Sequence, residues 1–177
     1  IENLAIEHLA IEQVAGMEIE QLEMEYRQAD YRGDYSVSLV MDQSGSIANT
    51  DPQNARVDAA NAFVDLMGKQ DEIALAKFAG TWFDLNWDLL SPFSQDQASL
   101  QAQINALAGA HGGYTPLYRA IDNMVTYTGQ NASNSENKVV IVFTDGEDTE
   151  GGVSIPALID NAQQLDVPVF TIGLSQG

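Results

Sequence analysis

Residues 35–46 read YSVSLVMDQSGS, an apolar run that passes directly into a polar loop. The run is short and contains valine and leucine, which is typical of a buried strand. The loop then offers one carboxylate and two hydroxyls at alternate positions, on Asp42, Ser44 and Ser46. Oxygen ligands of this kind suit a hard divalent cation. This stretch therefore predicts a buried strand with a cation-binding loop at its carboxyl end.

Two later segments also place an oxygen-bearing side chain at the end of a regular element. Thr115 stands where a helical pattern begins, and Asp145 follows the apolar strand pattern of residues 139–143. In an open parallel sheet, ligands bind beyond the carboxyl ends of the strands. Asp42 and Asp145 would approach each other only in a fold of that kind. The three segments thus predict one common site.

These segments resemble the metal-ion-dependent adhesion site of the von Willebrand factor type A domain, both in their order and in the strands and helices that carry them. That site consists of an Asp-x-Ser-x-Ser motif, a distant threonine and a distant aspartate, and the resemblance extends over residues 35–174. It implies a bound Mg²⁺, Mn²⁺ or Ca²⁺ that holds an acidic group of a partner, with the two aspartates acting largely through bound water. The implied metal ligands are Asp42, Ser44, Ser46, Thr115 and Asp145.

Glycines and further acidic residues flank the implied ligands. A tight loop that approaches a metal closely leaves little room for a Cβ atom, so the glycines are expected to support the metal loops. They are Gly45, Gly112, Gly113 and Gly146. Glu147 and Asp148 follow Asp145; a solvated acidic loop is the favoured interpretation, and an outer role at the metal is the alternative.

From residue 35 onward, strand patterns and helix patterns alternate. This predicts an α/β fold with a Rossmann-like, open and mostly parallel sheet that carries helices on both faces. Residues 73–78 and 83–89 are strand patterns separated by Ala79 and Gly80, which indicates an antiparallel hairpin at one sheet edge. Residues 167–174 read as a fully buried parallel strand.

Helix starts are indicated by capping patterns. Asp51 is a candidate N-cap because Pro52 follows at the first helical position, and Ser94 and Gln97 have the spacing of a capping box. A third helix is expected to begin at Thr115. These three starts predict crossover helices between the strands.

Residues 1–34 differ from the rest, with nine acidic and two basic residues and three successive pentads of the form Ile-Glu-x-Leu-Ala, the third with valine in place of leucine. A five-residue spacing fits neither a helix nor an alternating strand, so the period leaves the structure open. We interpret this segment as a linker or as the edge of a preceding module. Residues 35–177 would form the domain itself. The family pattern would continue with a further helix, strand and closing helix, so we favour a C-terminally incomplete domain; the alternative is that the acidic segment covers part of the surface left open.

Composition narrows the classes of partner. With 26 acidic and 7 basic residues the net charge is −19, so neither nucleic acid nor an anionic membrane would be attracted. The absence of cysteine excludes disulfides and thiolate metal sites. No apolar run approaches the roughly 20 residues that span a bilayer, so membrane insertion is not expected.

Two functions follow from the resemblance. The leading one is a metal-dependent adhesion module of a larger, extracellular or cell-surface bacterial protein, which binds a protein or polymer ligand through a carboxylate. The alternative is a cytoplasmic subunit that pairs with an ATPase in a chelatase-like complex. Catalysis is not expected, because Ser44 stands where a second carboxylate would be needed and no Gly-rich loop with a lysine could cradle phosphates.

Overall fold

The computed structural model describes residues 34–81, 84–146 and 148–174. Within the chain, Asp34–Gly177 forms one compact unit. Residues 1–33 lie outside the described ranges, so the expectations about the acidic segment stay predictions. In the ranges that are described, no helix is both long enough and apolar enough to cross a membrane.

A five-stranded sheet forms the centre of this unit. Its spatial order is β3-β2-β1-β4-β5. All neighbouring strands are parallel except β2 and β3, which form an antiparallel pair at one edge. The predicted α/β fold and its edge hairpin are therefore confirmed. The strands are β1 (Ser36–Asp42), β2 (Glu72–Thr81), β3 (Asp84–Ser94), β4 (Lys138–Thr144) and β5 (Val169–Gly173).

Helices cover both faces of the sheet. Successive side chains of a strand point to opposite faces, so neighbouring residues of β1 pack against different helices. On one face, Leu39 of the first strand belongs to a cluster with helical residues such as Val57 and Leu100. On the other face, Val40 belongs to a second cluster with helical residues such as Met124. The described helices are α1 (Ile47–Thr50), α2 (Ala55–Asp65), α3 (Gln97–Asn105), α4 (Leu117–Asn131) and α5 (Ile155–Gln164).

The predicted hairpin turn at Ala79 and Gly80 is wrong, since both residues belong to β2. The pairing of β2 with β3 continues until Thr81 lies opposite Asp84. Gly80 also forms two main-chain hydrogen bonds of 2.8 Å with Tyr114, which lies in the segment between α3 and α4. The strand is longer than its apolar pattern because main-chain partners on both sides hold this glycine in extended form.

The predicted helix starts lie a few residues too early. Ser94 ends β3, and Asp96 caps α3 instead by accepting a hydrogen bond from the Ser99 amide at 3.0 Å. The carboxylate of Asp51 does accept from helical amides, but it reaches across the loop to α2, which begins at Ala55. Similarly, α4 begins at Leu117, two residues after Thr115. Several polar residues near each start could cap it, and the strand and loop geometry selects one.

The prediction that residues 167–174 form a fully buried strand is wrong. The strand β5 does run parallel to β4, but it lies at the edge of the sheet. Phe170 is 61% exposed and Ile172 is 41% exposed. An apolar run identifies a strand, whereas its position in the sheet depends on which strands pair, and this decides how much of it is buried.

The central strand supplies a direct test of the fold. Leu39 is fully buried in β1, whereas Leu66 just after α2 is 85% exposed. We expect Leu39→Ala to lower the free energy of unfolding by about 2–5 kcal/mol, because it leaves a cavity in the core. The control Leu66→Ala should change it by less than about 0.5 kcal/mol. Urea denaturation measures both; equal effects would contradict this packing.

Candidate metal centre

The parallel pairing of β1 with β4 brings two polar loops to the same edge of the sheet. Met41 lies opposite Phe143 in the register of these strands. Asp42 is the last residue of β1, and Asp145 directly follows Thr144, the last residue of β4. This is the approach of the two aspartates that the sequence predicted.

Asp42 is a buried carboxylate held by two donors. Its Oδ1 accepts a hydrogen bond from the Ser44 amide at 2.8 Å, and its Oδ2 accepts one from the Thr144 hydroxyl at 2.7 Å. Burial raises the pKa of the Asp42 carboxyl; the hydrogen bonds from Thr144 and Ser44 lower it, and the nearby charge of Asp145 adds to the rise. Burial therefore disfavours the charged form of Asp42, and a nearby cation would favour it.

A row of oxygen atoms extends from Ser44 to Asp145. The hydroxyls of Ser44 and Ser46 are 3.1 Å apart, and the Ser46 hydroxyl donates to Asp145 Oδ1 at 2.9 Å. The hydroxyl of Thr50, at the end of α1, donates to the other carboxylate oxygen of Asp145. Both oxygens of Asp145 are therefore oriented by hydroxyls from the segment that follows β1.

Thr115 reaches this edge through main-chain contacts of its segment. The Gly45 amide donates to the Gly113 carbonyl at 3.0 Å, and the Gly112 amide donates to the Gln43 carbonyl at 2.8 Å. Thr115 is 5% exposed, and its amide donates to the hydroxyl of Thr149 at 2.9 Å. The loop that precedes Thr115 therefore lies directly against the loop that carries the two serines.

Two of the predicted supporting glycines have a steric reason in the structure. Gly113 has φ of +89°, and a Cβ added there would overlap the carbonyl oxygen of Gly80. At Gly45 a Cβ would lie 3.3 Å from the Gly113 carbonyl oxygen, which is a tight approach. By contrast, a Cβ on Gly146 would meet nothing within 4 Å. The close approach of the Thr115 segment to β2 thus requires Gly113, and its contact with the serine loop leaves little room at Gly45.

Asp148 is occupied by main-chain donors. Its Oδ1 accepts from the Tyr118 amide in the first turn of α4 at 3.1 Å, and its Oδ2 accepts from the Gly151 amide at 2.6 Å. A carboxylate at a helix N-terminus stabilises the unpaired amides there. The structure therefore gives Asp148 a role in anchoring α4. Glu147 lies outside the described residues.

Three threonines of the site were not predicted from the sequence. Thr144 binds Asp42, Thr50 binds Asp145, and Thr149 binds the main chain of Thr115. Thr144 directly precedes Asp145 at the end of its strand, so its position in the sequence indicated that it lies near the site. The positions of Thr50 and Thr149 give no such indication, because their contacts span 95 and 34 residues of sequence.

The donor set fits a hard cation. Among the described residues, no group of three or more histidine, cysteine, aspartate or glutamate side chains could hold a metal. The site instead combines two carboxylates with hydroxyls, and oxygen-only ligands suit Mg²⁺, Mn²⁺ and Ca²⁺. Oxygens about 2.0–2.1 Å from an octahedral Mg²⁺ lie about 2.9 Å apart along each edge. The Ser44 and Ser46 hydroxyl oxygens, the two direct ligands that the resemblance implies, lie 3.1 Å apart and could share such an edge.

Comparisons with known proteins agree with this fold. Residues 36–177 match the family model of the von Willebrand factor type A domain. Among solved structures, the chain is similar to an aerotolerance-related membrane protein from Bacteroides fragilis NCTC 9343 with multiple mutations to serines. The identity is 22%, the TM-score is 0.56, and the match covers 79% of this chain and 67% of that one, so it shows the fold alone. No curated protein matches the chain.

The cost of the buried carboxylate can be measured without metal. A raised folded-state pKa means that ionised Asp42 destabilises the folded state above that pKa. Asp42→Asn should therefore raise the free energy of unfolding in chelator at pH 7. This advantage should shrink as the pH falls through the raised pKa toward the ordinary value of 3.8, because wild-type Asp42 then becomes neutral too.

Urea denaturation at pH 7 and at a pH near the ordinary value of 3.8 measures this difference. The exposed Asp58→Asn is the control. Asparagine can still accept the hydrogen bond from the Ser44 amide, so loss of that contact does not obscure the result. A variant that is less stable than wild type at pH 7 would contradict the account of Asp42.

Proposed function

Because the chain belongs to the von Willebrand factor type A domain family, we propose that it binds a divalent cation and uses it to hold a carboxylate of a partner. The cation would be Mg²⁺, Mn²⁺ or Ca²⁺. Ser44 and Ser46 would hold it directly, Asp42 and Asp145 would act largely through bound water, and Thr115 would join them when the partner supplies an acidic oxygen. The row of hydroxyl and carboxylate oxygens around Ser46 carries this proposal.

Neutral donors explain why such a site would attract an acid. Hydroxyl ligands stabilise a cation without cancelling its charge, so positive charge remains for an incoming carboxylate. Meanwhile the Asp42 carboxylate is engaged by Thr144 and Ser44, and the Asp145 carboxylate by Ser46 and Thr50. These hydrogen bonds fix the geometry of the donors before a ligand arrives.

Space for part of the ligand lies beside Asp145. A cavity of about 450 Å³ opens there beyond the carboxyl ends of β4 and β5. Its walls combine apolar residues with two threonines and an aspartate. They are Leu117, Thr144, Asp145, Gly146, Thr171, Gly173 and Leu174. A side chain next to the bound carboxylate would fit in it.

We propose binding without catalysis. The hydroxyls of Ser44 and Ser46 bond to each other, the Ser46 hydroxyl donates to Asp145, and no histidine is among their partners in the described residues. A serine nucleophile needs such a base. The acidic, cysteine-free composition supports a place outside a bacterial cell or on its surface, within a larger protein. A cytoplasmic subunit that works with an ATPase is the alternative.

Metal binding is the first test of this function. Calorimetric titration of Mg²⁺, Mn²⁺ and Ca²⁺ into chelator-treated protein should show one site. Ser44→Ala and Asp145→Ala each remove a donor, so either should weaken binding by more than about tenfold. Ser135→Ala is the control, because Ser135 is an exposed loop residue between α4 and β4. Tight binding that survives both variants would mean that the cation binds elsewhere.

The carboxylate preference is tested with two small probes that differ in one group. N-acetylglutamate methylamide should reduce the water-proton relaxation of the Mn²⁺-loaded protein, because its carboxylate displaces metal-bound water. N-acetylglutamine methylamide should have little effect. Equal responses to the acid and the amide would contradict the proposal, and association with an ATPase that requires nucleotide would favour the cytoplasmic alternative.

A further inference from the structure

Arg56 on α2 is a buried charge close to the metal centre. Its side chain is completely inaccessible to solvent, and its Nη1 forms an ion pair of 2.7 Å with Asp51 Oδ2. Asp51 also accepts hydrogen bonds from the amides of Ala55 and Arg56, so its carboxylate joins the pair to the start of the helix. The positive charge is thus neutralised within one compact loop.

The second arm of the guanidinium contacts two other loops. Arg56 Nη2 donates to Gln43 Oε1 at 3.2 Å and to the Leu107 carbonyl at 3.1 Å. Gln43 lies between Asp42 and Ser44 in the first metal loop, and Leu107 begins the segment that leads to Thr115. One side chain therefore connects the loop of Ser44 and Ser46 to the segment that leads to Thr115.

Two hydrogen bonds from main-chain amides join the same loops. The Gly109 amide donates to Asn54 Oδ1 at 2.9 Å, which ties the second segment to the loop of Asp51. The main chain of Gln43 accepts from Gly112, as described above. Because these bonds surround Arg56, a shift of the guanidinium would move both loops with it.

Stability alone does not explain this arrangement. A buried ion pair loses its hydration, and apolar replacements of both partners are often as stable or more so. In addition, Gln43 is 3% exposed, yet its Nε2 has no hydrogen-bond partner among the described residues. An unpaired buried donor is destabilising. The amide of Gln43 is thus held toward Arg56 at a cost to folding, directly beside two metal donors.

We propose that Arg56, neutralised by Asp51, is a positioning residue that fixes the loop of Ser44 and Ser46 relative to the segment that carries Thr115. The planar guanidinium suits this task, because its donors point in fixed and different directions. This inference rests on the proposed metal site and adds the residue that sets its geometry. Arg56 would act on metal affinity through Gln43 and Leu107, without touching the cation.

Two variants break the connection at different points. Gln43→Met removes the amide while the ion pair stays, and the combined Arg56→Met and Asp51→Asn exchange removes both charges while asparagine can still accept from the Ala55 amide. Val64→Ala is the matched control, because it removes buried volume at the far end of the same helix. For each protein, Mn²⁺ titration gives the Kd and urea denaturation gives the unfolding midpoint.

We expect Gln43→Met and the double variant to raise the Kd for Mn²⁺ about tenfold, as removal of partners that orient metal ligands does. The midpoint of Gln43→Met should change little, since the loss of an unpaired amide offsets the loss of an acceptor for Arg56 Nη2. Val64→Ala should lower the midpoint and leave the Kd within about twofold of wild type. A purely structural role would instead make the Kd follow the midpoint.

The outcomes separate this inference from the proposed function. If wild type binds Mn²⁺ and Gln43→Met binds it equally well, the positioning role of Arg56 is overturned and the metal site stands. If wild type does not bind Mn²⁺, both are overturned. Should the double variant fail to fold, Gln43→Met decides alone, because it leaves the ion pair in place.

Discussion

The parallel pairing of β1 with β4 is the constraint on which the site depends. It aligns the carboxyl ends of two strands that are 102 residues apart, where the Thr144 hydroxyl donates to Asp42. Neither loop could assemble the oxygen row by itself, because one supplies the serines and the other the second aspartate. The two buried faces of the sheet hold this pairing in place, and the site therefore depends on the core.

Two buried charges lie near each other in this structure and are stabilised differently. Arg56 has its own anion in Asp51, so its charge is compensated within the fold. Asp42 has hydroxyl and amide donors but no cationic side chain among its described hydrogen-bond partners. In the proposed function, a bound cation would supply this missing positive charge.

The sequence was informative wherever local chemistry decides the structure. Alternating strand and helix patterns predicted the sheet, and the Asp-x-Ser-x-Ser loop predicted which residues would meet at its edge. The sequence was less informative where the pairing of strands decides the structure. Gly80 reads as a turn residue, but Tyr114 and β3 hold it in a strand; Phe170 reads as core, but its strand lies at an edge.

The contacts of Arg56 show the same limit. An arginine among polar residues after a loop is usually exposed, and only the tertiary fold encloses it and brings it against Leu107, 51 residues later. Thr50 is similar, because its partner Asp145 is 95 residues away. Residues that orient a site from a distance carry no spacing signal of their own, whereas residues that line a loop do.

The central claim is that the hydroxyls of Ser44 and Ser46 hold a divalent cation. Anomalous diffraction at the manganese edge, from crystals of the protein grown with Mn²⁺, tests it most directly. The account predicts one strong anomalous peak within about 2.0–2.6 Å of both hydroxyl oxygens, with Asp42 and Asp145 around it. A peak elsewhere in the chain, or none in crystals that contain ample Mn²⁺, would contradict it.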